Sequence, residues 1–232
     1  MDISKALIAH GFEKGDKLSI YSYNRKEWYA AYSAANMCNG AAVGVYHTCS
    51  PEEVEWVVGN SDSKVVFVGN NPMDGGDPSK MCAHRLHEAL GSLDKVESVV
   101  VMDGVDMPDH PKAVSWMDFV SSGRGTEESA VMDRASSIQP DDTASLIYTS
   151  GTTGNPKGIV HAHRWIVAQG DTNKLRIKPQ EKDVVLATGE WSFISALGHN
   201  VLFPLRNGVT GGILEGRMHP ERVLKAVEVL GV

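Results

Sequence analysis

The chain has 232 residues and a formal net charge of −7, with 42% hydrophobic and 22% charged residues. Those fractions lie near the globular average and argue against global disorder, and the length suits one large domain or one and a half. The acidic balance argues against a nucleic-acid partner held by a basic field, so an anionic ligand has to be met by a local site.

Other absences point the same way. No apolar run approaches the roughly 18 residues of a membrane span. Met1 to His10 carries no basic region followed by an apolar one, so no signal peptide is expected. Cys38, Cys49 and Cys82 are too few and too scattered for a disulfide framework or a zinc site. Reduced thiols in a cytoplasmic protein are expected.

In chain order, Lys17 to Ser22 is the first strand candidate. Asn24 opens a helix with Glu27 three residues on, a capping-box pattern. The helix runs to about Cys38, is rich in small residues, and stops at Asn39-Gly40. Ala41 to Tyr46 is a second strand. Ser50-Pro51-Glu52-Glu53 marks a helix start, with Val54, Val57 and Val58 as its apolar stripe. Lys64 to Val68 and Ser98 to Met102 are unbroken apolar runs that suit strands covered on both faces. A weak helix, Lys80 to Leu90, lies between them. Strands alternating with helices predict an α/β fold with a parallel, twisted sheet.

From Asp103 to Asp142 the pattern weakens into loop around one short helix near Trp116. Order returns at Ala144 to Tyr148, a strand, and continues with a strand at Ile159 to His161 and a helix from about Arg164. Asp183 to Ala187 reads as another strand, and His219-Pro220-Glu221 opens a final helix. This divides the chain into a first α/β part (1–102), a loop-rich connection (103–142) and a last part (143–232).

Residues 149 to 158 leave a strand and hold three glycines, four hydroxyl side chains and one lysine. Glycines let a backbone approach a ligand closely, and successive amides can form an anion-binding concavity. Hydroxyls add donors that rotate to suit phosphate oxygens, and Lys157 adds a point charge. A serine–glycine linker is the bland alternative, but two apolar strands bracket the segment. It is not a Walker A loop, because Pro156 precedes Lys157 and Gly158 follows it.

Tyr148-Thr-Ser-Gly-Thr-Thr-Gly-Asn-Pro-Lys-Gly158 resembles the AMP-binding signature of the adenylate-forming superfamily, which includes acyl-CoA synthetases, aryl-CoA ligases, luciferases and the adenylation domains of peptide synthetases. Gly15 to Ile20, Asn24 to Trp28, Gly44 to Glu53 and Lys157 to His163 also resemble segments of that family, and the first half is most similar to fatty acyl-CoA synthetases. The resemblance implies layered, parallel-rich sheets flanked by helices, forming part of the large N-terminal domain of such an enzyme.

It further implies ATP-dependent activation of a small carboxylic acid, a fatty acid by these motifs' balance, to an acyl-adenylate and then to acyl-CoA. ATP, Mg²⁺ and coenzyme A are the implied cofactor and co-substrates. Thr149, Ser150, Gly151, Thr152, Thr153, Gly154 and Lys157 are the implied phosphate contacts, with Thr152, Thr153 and Lys157 positioning the phosphates and stabilising charge. Trp191 to Gly208 resembles the family's substrate-site stretch. Its Ala196-Leu-Gly198 and Phe203-Pro-Leu205 pieces are most similar to benzoate- and aminobenzoate-CoA ligases, so an aromatic acid is the alternative substrate. Trp191, Ser195, Ala196, Gly198 and His199 are the implied acid contacts, with His199 alternatively a packing histidine.

His161 and His163, two apart on a strand, would share a face, but no third ligand at sensible spacing follows and no metal site is expected. The family's Tyr-Gly-x-Thr-Glu segment and its C-terminal domain lysine have no counterpart in this sequence. An N-terminal fragment is therefore expected, either completed by a missing C-terminal half or reduced to folding and phosphate binding. Cut sheet edges would favour self-association.

Overall fold

The computed structural model describes residues 1–70, 77–149 and 154–232. Helix α1 (Asp2–Ala9) leads into β1 (Lys17–Tyr21), α2 (Lys26–Met37), β2 (Ala41–Val45), α3 (Pro51–Asn60) and β3 (Ser63–Val68). Then come α4 (Cys82–Ala89), β4 (Ser98–Val101), β5 (Ala113–Ser115), α5 (Trp116–Ser122) and α6 (Glu128–Ser136). The last part holds β6 (Thr143–Thr149), β7 (Lys157–Ala162), α7 (His163–Ile177), β8 (Val184–Val185), α8 (Ile194–Leu197), α9 (Phe203–Asn207), β9 (Thr210–Gly211) and α10 (Pro220–Leu230).

Seven strands form one sheet in the order β5-β4-β3-β1-β2-β6-β7. Every neighbouring pair is parallel except β6 and β7, which are antiparallel. The connection between those two is too short for a crossover, which takes a dozen or more residues, so the chain has to turn straight back. The expected α/β architecture with a parallel-rich sheet is therefore present, with an antiparallel hairpin at one edge.

Alternation along the central strands builds two cores. Leu18, Ile20, Val65 and Phe67 face one side and pack with Trp28, Ala31 and Ala35 of α2. Tyr21, Val66 and Val68 face the other and pack with Val54, Val57 and Val58 of α3 and Leu86 of α4. A strand buried on both faces needs apolar residues at every position, which explains the unbroken Val-Val-Phe-Val run.

The α3 start follows the sequence pattern. The Glu53 amide donates to Ser50 Oγ at 3.3 Å, and the Ser50 amide donates to Glu53 Oε2 at 2.9 Å, with Pro51 at the first helical position. The α2 start does not. Its N-cap is Arg25, without a side-chain cap bond, and Glu27 pairs with Arg25 at 2.7 Å. Asn24 is drawn away because its amide is used in a long-range contact described below.

Several elements carry too weak a local signal to be expected. In 103–142 the helix near Trp116 is α5, but β5 extends the sheet and α6 adds a helix whose only buried residue is Val131. The Asp183 to Ala187 strand shrinks to β8, which pairs in parallel with β9 as a separate two-stranded sheet. Between α8 and α9 the helix widens into one π-helical turn, Gly198–Leu202. Pro204, just beyond it, cannot donate an intrahelical bond, and such widened turns accommodate that loss.

Candidate functional site

The β6–β7 hairpin presents the glycine–threonine loop. Thr149 pairs with Lys157 across the ladder and closes the loop at its base. Gly154 has φ +96°, a conformation that side chains rarely adopt, so glycine is required there. Lys157 is exposed. Ser150, Gly151, Thr152 and Thr153 lie outside the described residues.

Both arms of the loop are fastened to α3. Trp56 Nε1 donates to the Pro156 carbonyl at 2.9 Å, and the Tyr148 hydroxyl donates to Asn60 Oδ1 at 2.7 Å. A Cβ at Gly158 would sit 2.9 Å from the Tyr148 ring, so glycine is needed for the strands to close over that tyrosine. Trp56 and Asn60 were not expected from sequence, because α3 reads there only as an amphipathic helix.

Three clefts surround the segment between β8 and α8. The first, about 270 Å³, joins Tyr46, Thr48, Tyr148 and Pro156 to Ser192 and Phe193. The second, about 470 Å³, is lined by Val185, Ala187, Phe193, Ser195, Ala196 and His199. The third, about 250 Å³, is lined by Tyr29, Trp191, Asn200, Leu205 and Ile213.

The sequence-predicted acid contacts are thus split. Ser195, Ala196 and His199 meet in the second cleft. Trp191 is only 2% exposed; it packs edge-on against Trp28 at 5.6 Å and walls the third cleft. A Cβ on Gly198 would point toward Gln169 of α7, 3.0 Å from its Oε1. His199 Nδ1 lies 2.7 Å from the Ser195 carbonyl. A carbonyl only accepts, so Nδ1 carries the proton of this contact. Phe193, exposed and tilted against Tyr46 at 4.7 Å, belongs to both the first and second clefts.

His161 and His163 do not share a strand face. β7 ends at Ala162, and His163 is the first residue of α7, its amide donating to the Asp142 carbonyl. His161 packs tilted against Trp165 at 4.5 Å, and burial lowers the pKa of both histidines.

One further pair sits behind the clefts. His47 and Glu190 are 7% and 8% exposed, with His47 Nδ1 4.0 Å from Glu190 Oε2 and neither atom hydrogen-bonded. Burial, reinforced by Arg217 and Arg85, pushes His47 down to about 4. Burial pushes Glu190 up to about 7. Nothing in the local sequence joins these residues.

A family profile described as AMP-binding enzyme matches residues 2–232. The chain belongs to the AMP-binding enzyme family. It is 26% identical over 209 residues to a long-chain-fatty-acid–CoA ligase of Xenopus laevis, covering 88% of this chain and 27% of that protein. It is 28% identical over 219 residues to a 3-hydroxybenzoate–CoA/4-hydroxybenzoate–CoA ligase of Thauera aromatica, covering 94% of this chain and 38% of that one. The fold matches a crystal structure of an anthranilate CoA ligase in complex with anthranoyl-AMP, with a TM-score of 0.80 and 23% identity, over 97% of this chain and 40% of that chain. This member of the AMP-binding family therefore spans well under half the length of these relatives.

Proposed function

We propose that this AMP-binding family chain supplies the phosphate loop and the acid-side wall of an ATP-dependent acid–CoA ligase. The carboxylate of the acid attacks the α-phosphorus of ATP, forming an acyl-adenylate and releasing pyrophosphate. The thiol of coenzyme A then displaces AMP and leaves as the acyl thioester, giving up its proton. The observation that carries this reading is the first cleft, where Pro156 of the loop and Phe193 of the acid-side segment line the same space.

In that reading Thr149, Ser150, Gly151, Thr152, Thr153, Gly154 and Lys157 hold the β- and γ-phosphates. Their work is positioning and charge stabilisation as pyrophosphate leaves. The fit rests on the positive φ of Gly154, the exposed lysine and the anchored returning arm. Mg²⁺ would neutralise phosphate charge, and it commonly needs only one or two carboxylates beside substrate oxygens. Among the described residues no three metal-ligating side chains gather.

The second cleft, with Ser195, Ala196 and His199, takes the acid. Its apolar lining by Val185, Ala187 and Phe193 favours a fatty acid, and an aromatic acid is the alternative that the Thauera relative supports. Ile159 and Val160 on edge strand β7 are 46% and 62% exposed, and α10 buries no residue. Those faces support the reading that further polypeptide completes the enzyme.

Calorimetry with pyrophosphate tests the loop on the chain itself; no binding removes the loop from the mechanism. ATP–pyrophosphate exchange driven by decanoate or 4-hydroxybenzoate then tests the acid, with the chain alone and with an added C-terminal half from a relative. Exchange only in the mixture supports the divided enzyme. Exchange in neither would leave a module that folds and binds phosphate.

A further inference from the structure

The segment Gly189–Phe193 contributes to all three clefts: Gly189 and Phe193 to the second, Trp191 to the third, Ser192 and Phe193 to the first. Where it sits therefore sets the shape of each. Three contacts hold it. Asn24, 2% exposed at the end of β1, donates from Nδ2 to the Gly189 carbonyl at 2.9 Å and accepts from the Trp191 amide at 2.8 Å. Its amide thus grips the backbone on both sides of Glu190. At the end of β2, Gly44 lets Ser192 approach so closely that a Cβ would lie 2.8 Å from the Ser192 Cα.

The third contact is the His47–Glu190 pair. Its 4.0 Å separation is longer than a direct hydrogen bond, and both facing atoms are buried with no hydrogen-bond partner in the protein. Burying either charged form without a partner is costly, which favours a pair that stays net neutral. The His47 ring lies between Tyr23 at 3.9 Å and Tyr46 at 4.4 Å.

We propose that Asn24, His47 and Glu190 are positioning residues that hold the Gly189–Phe193 segment against the ends of β1 and β2, with the buried His47–Glu190 pair carrying one titrating proton. The proton lies on Glu190 Oε2 or His47 Nδ1, and the pair is net neutral in either state. Loss of that proton leaves a buried carboxylate beside a neutral imidazole and loosens the wall. The other titratable and charged groups around the pair are Tyr46, Tyr23 and Cys49 beside the two strand ends, Cys82 and Arg85 from α4, and Arg217 from the segment before α10. The consequence for acid binding rests on the acid-activation reading; the positioning itself does not.

The test is NMR on the chain labelled with ¹³C at glutamate side-chain carboxyls and ¹⁵N at amides, followed through a pH titration. One glutamate is expected to titrate near 7, and the Trp191 amide is expected to shift with the same midpoint. Glu190→Gln should abolish both transitions. Asn24→Ala should uncouple them, leaving the carboxyl transition without the Trp191 response. If every glutamate titrates near the ordinary value of about 4.3, or if the Trp191 amide ignores the transition, the proposal is overturned. The wild-type titration decides this even if a variant does not fold. Calorimetry with decanoate and with 4-hydroxybenzoate at about pH 6 and about pH 8 separates the two readings. Coupled transitions without binding of either acid keep the positioning and sink the acid site. Acid binding without coupled transitions does the reverse.

Discussion

The centre of the sheet and its β7 edge are built to opposite rules. β3 is buried from Val65 to Val68, with helices on both faces, whereas β7 leaves Lys157, Gly158, Ile159 and Val160 exposed. The centre is a scaffold whose residues are chosen for packing. The edge is where a loop can reach a ligand, because its backbone and lysine are not needed by the core. Stability and function are therefore expected to respond separately to substitution in the two places.

The sharpest contrast is between Phe67→Ala and Val160→Ala. Phe67 is fully buried and meets Trp116 and Phe119 edge-on, so truncation should cost about 3–5 kcal/mol. Val160 is 62% exposed, and its truncation should stay within about 0.5 kcal/mol. Urea unfolding measures both. Equal losses would erase the distinction between scaffold and edge.

The buried pair behind the clefts gives a contrast in pH. The His47 pKa is lowered to about 4, so between there and its usual value the unfolded chain binds more protons and stability rises with pH. Glu190 is raised to about 7, so from its usual value up to there the folded chain binds more protons and stability falls with pH. In the wild type the two slopes oppose each other. Glu190→Gln should expose the rising slope and His47→Gln the falling one, each at most about 1.4 kcal/mol per pH unit. Denaturation midpoints from about pH 4.5 to 6.5 read the signs. Slopes of the same sign in both variants would dissolve the pair.

At the edge, Lys157→Ala should weaken pyrophosphate binding roughly 10- to 100-fold, the worth of a charged hydrogen bond, without moving the melting temperature. Calorimetry and thermal melting on the same preparation check it, and a matched loss of both would place the lysine in the scaffold. A smaller effect on pyrophosphate binding than that of Lys157→Ala is expected from Trp56→Phe, which removes the bond to Pro156. About 0.5–1.5 kcal/mol is at stake, so pyrophosphate binding should fall by at most about tenfold.

Much of this could be read locally. The α3 cap, the unbroken strands and the ten-residue loop each announce themselves within one turn or one strand of sequence. Asn24 shows the limit of such patterns. Its spacing to Glu27 satisfies the capping rule, yet its amide forms bonds to Gly189 and Trp191 that no local rule can weigh. α6 and the helical stretch after Phe193 escaped for opposite reasons: α6 buries only Val131, so its periodicity is faint, whereas most residues from Ala196 to Pro204 are buried, so no one-sided apolar stripe marks a helix. The residues expected from sequence to contact an acid were also only partly gathered, since Gly198 faces α7 while Ser195, Ala196 and His199 share a cleft.

Element type along the first half, the glycine-dependent loop and the family follow from short-range order, because hydrogen-bond periodicity and turn chemistry act over a few residues. The antiparallel turn of β7, the shared wall of the clefts and the meeting of His47 with Glu190 arise only when distant segments pack. Asn24 and Gly189 lie 165 residues apart, and their contact exists because the sheet brings the end of β1 beneath the β8–α8 segment.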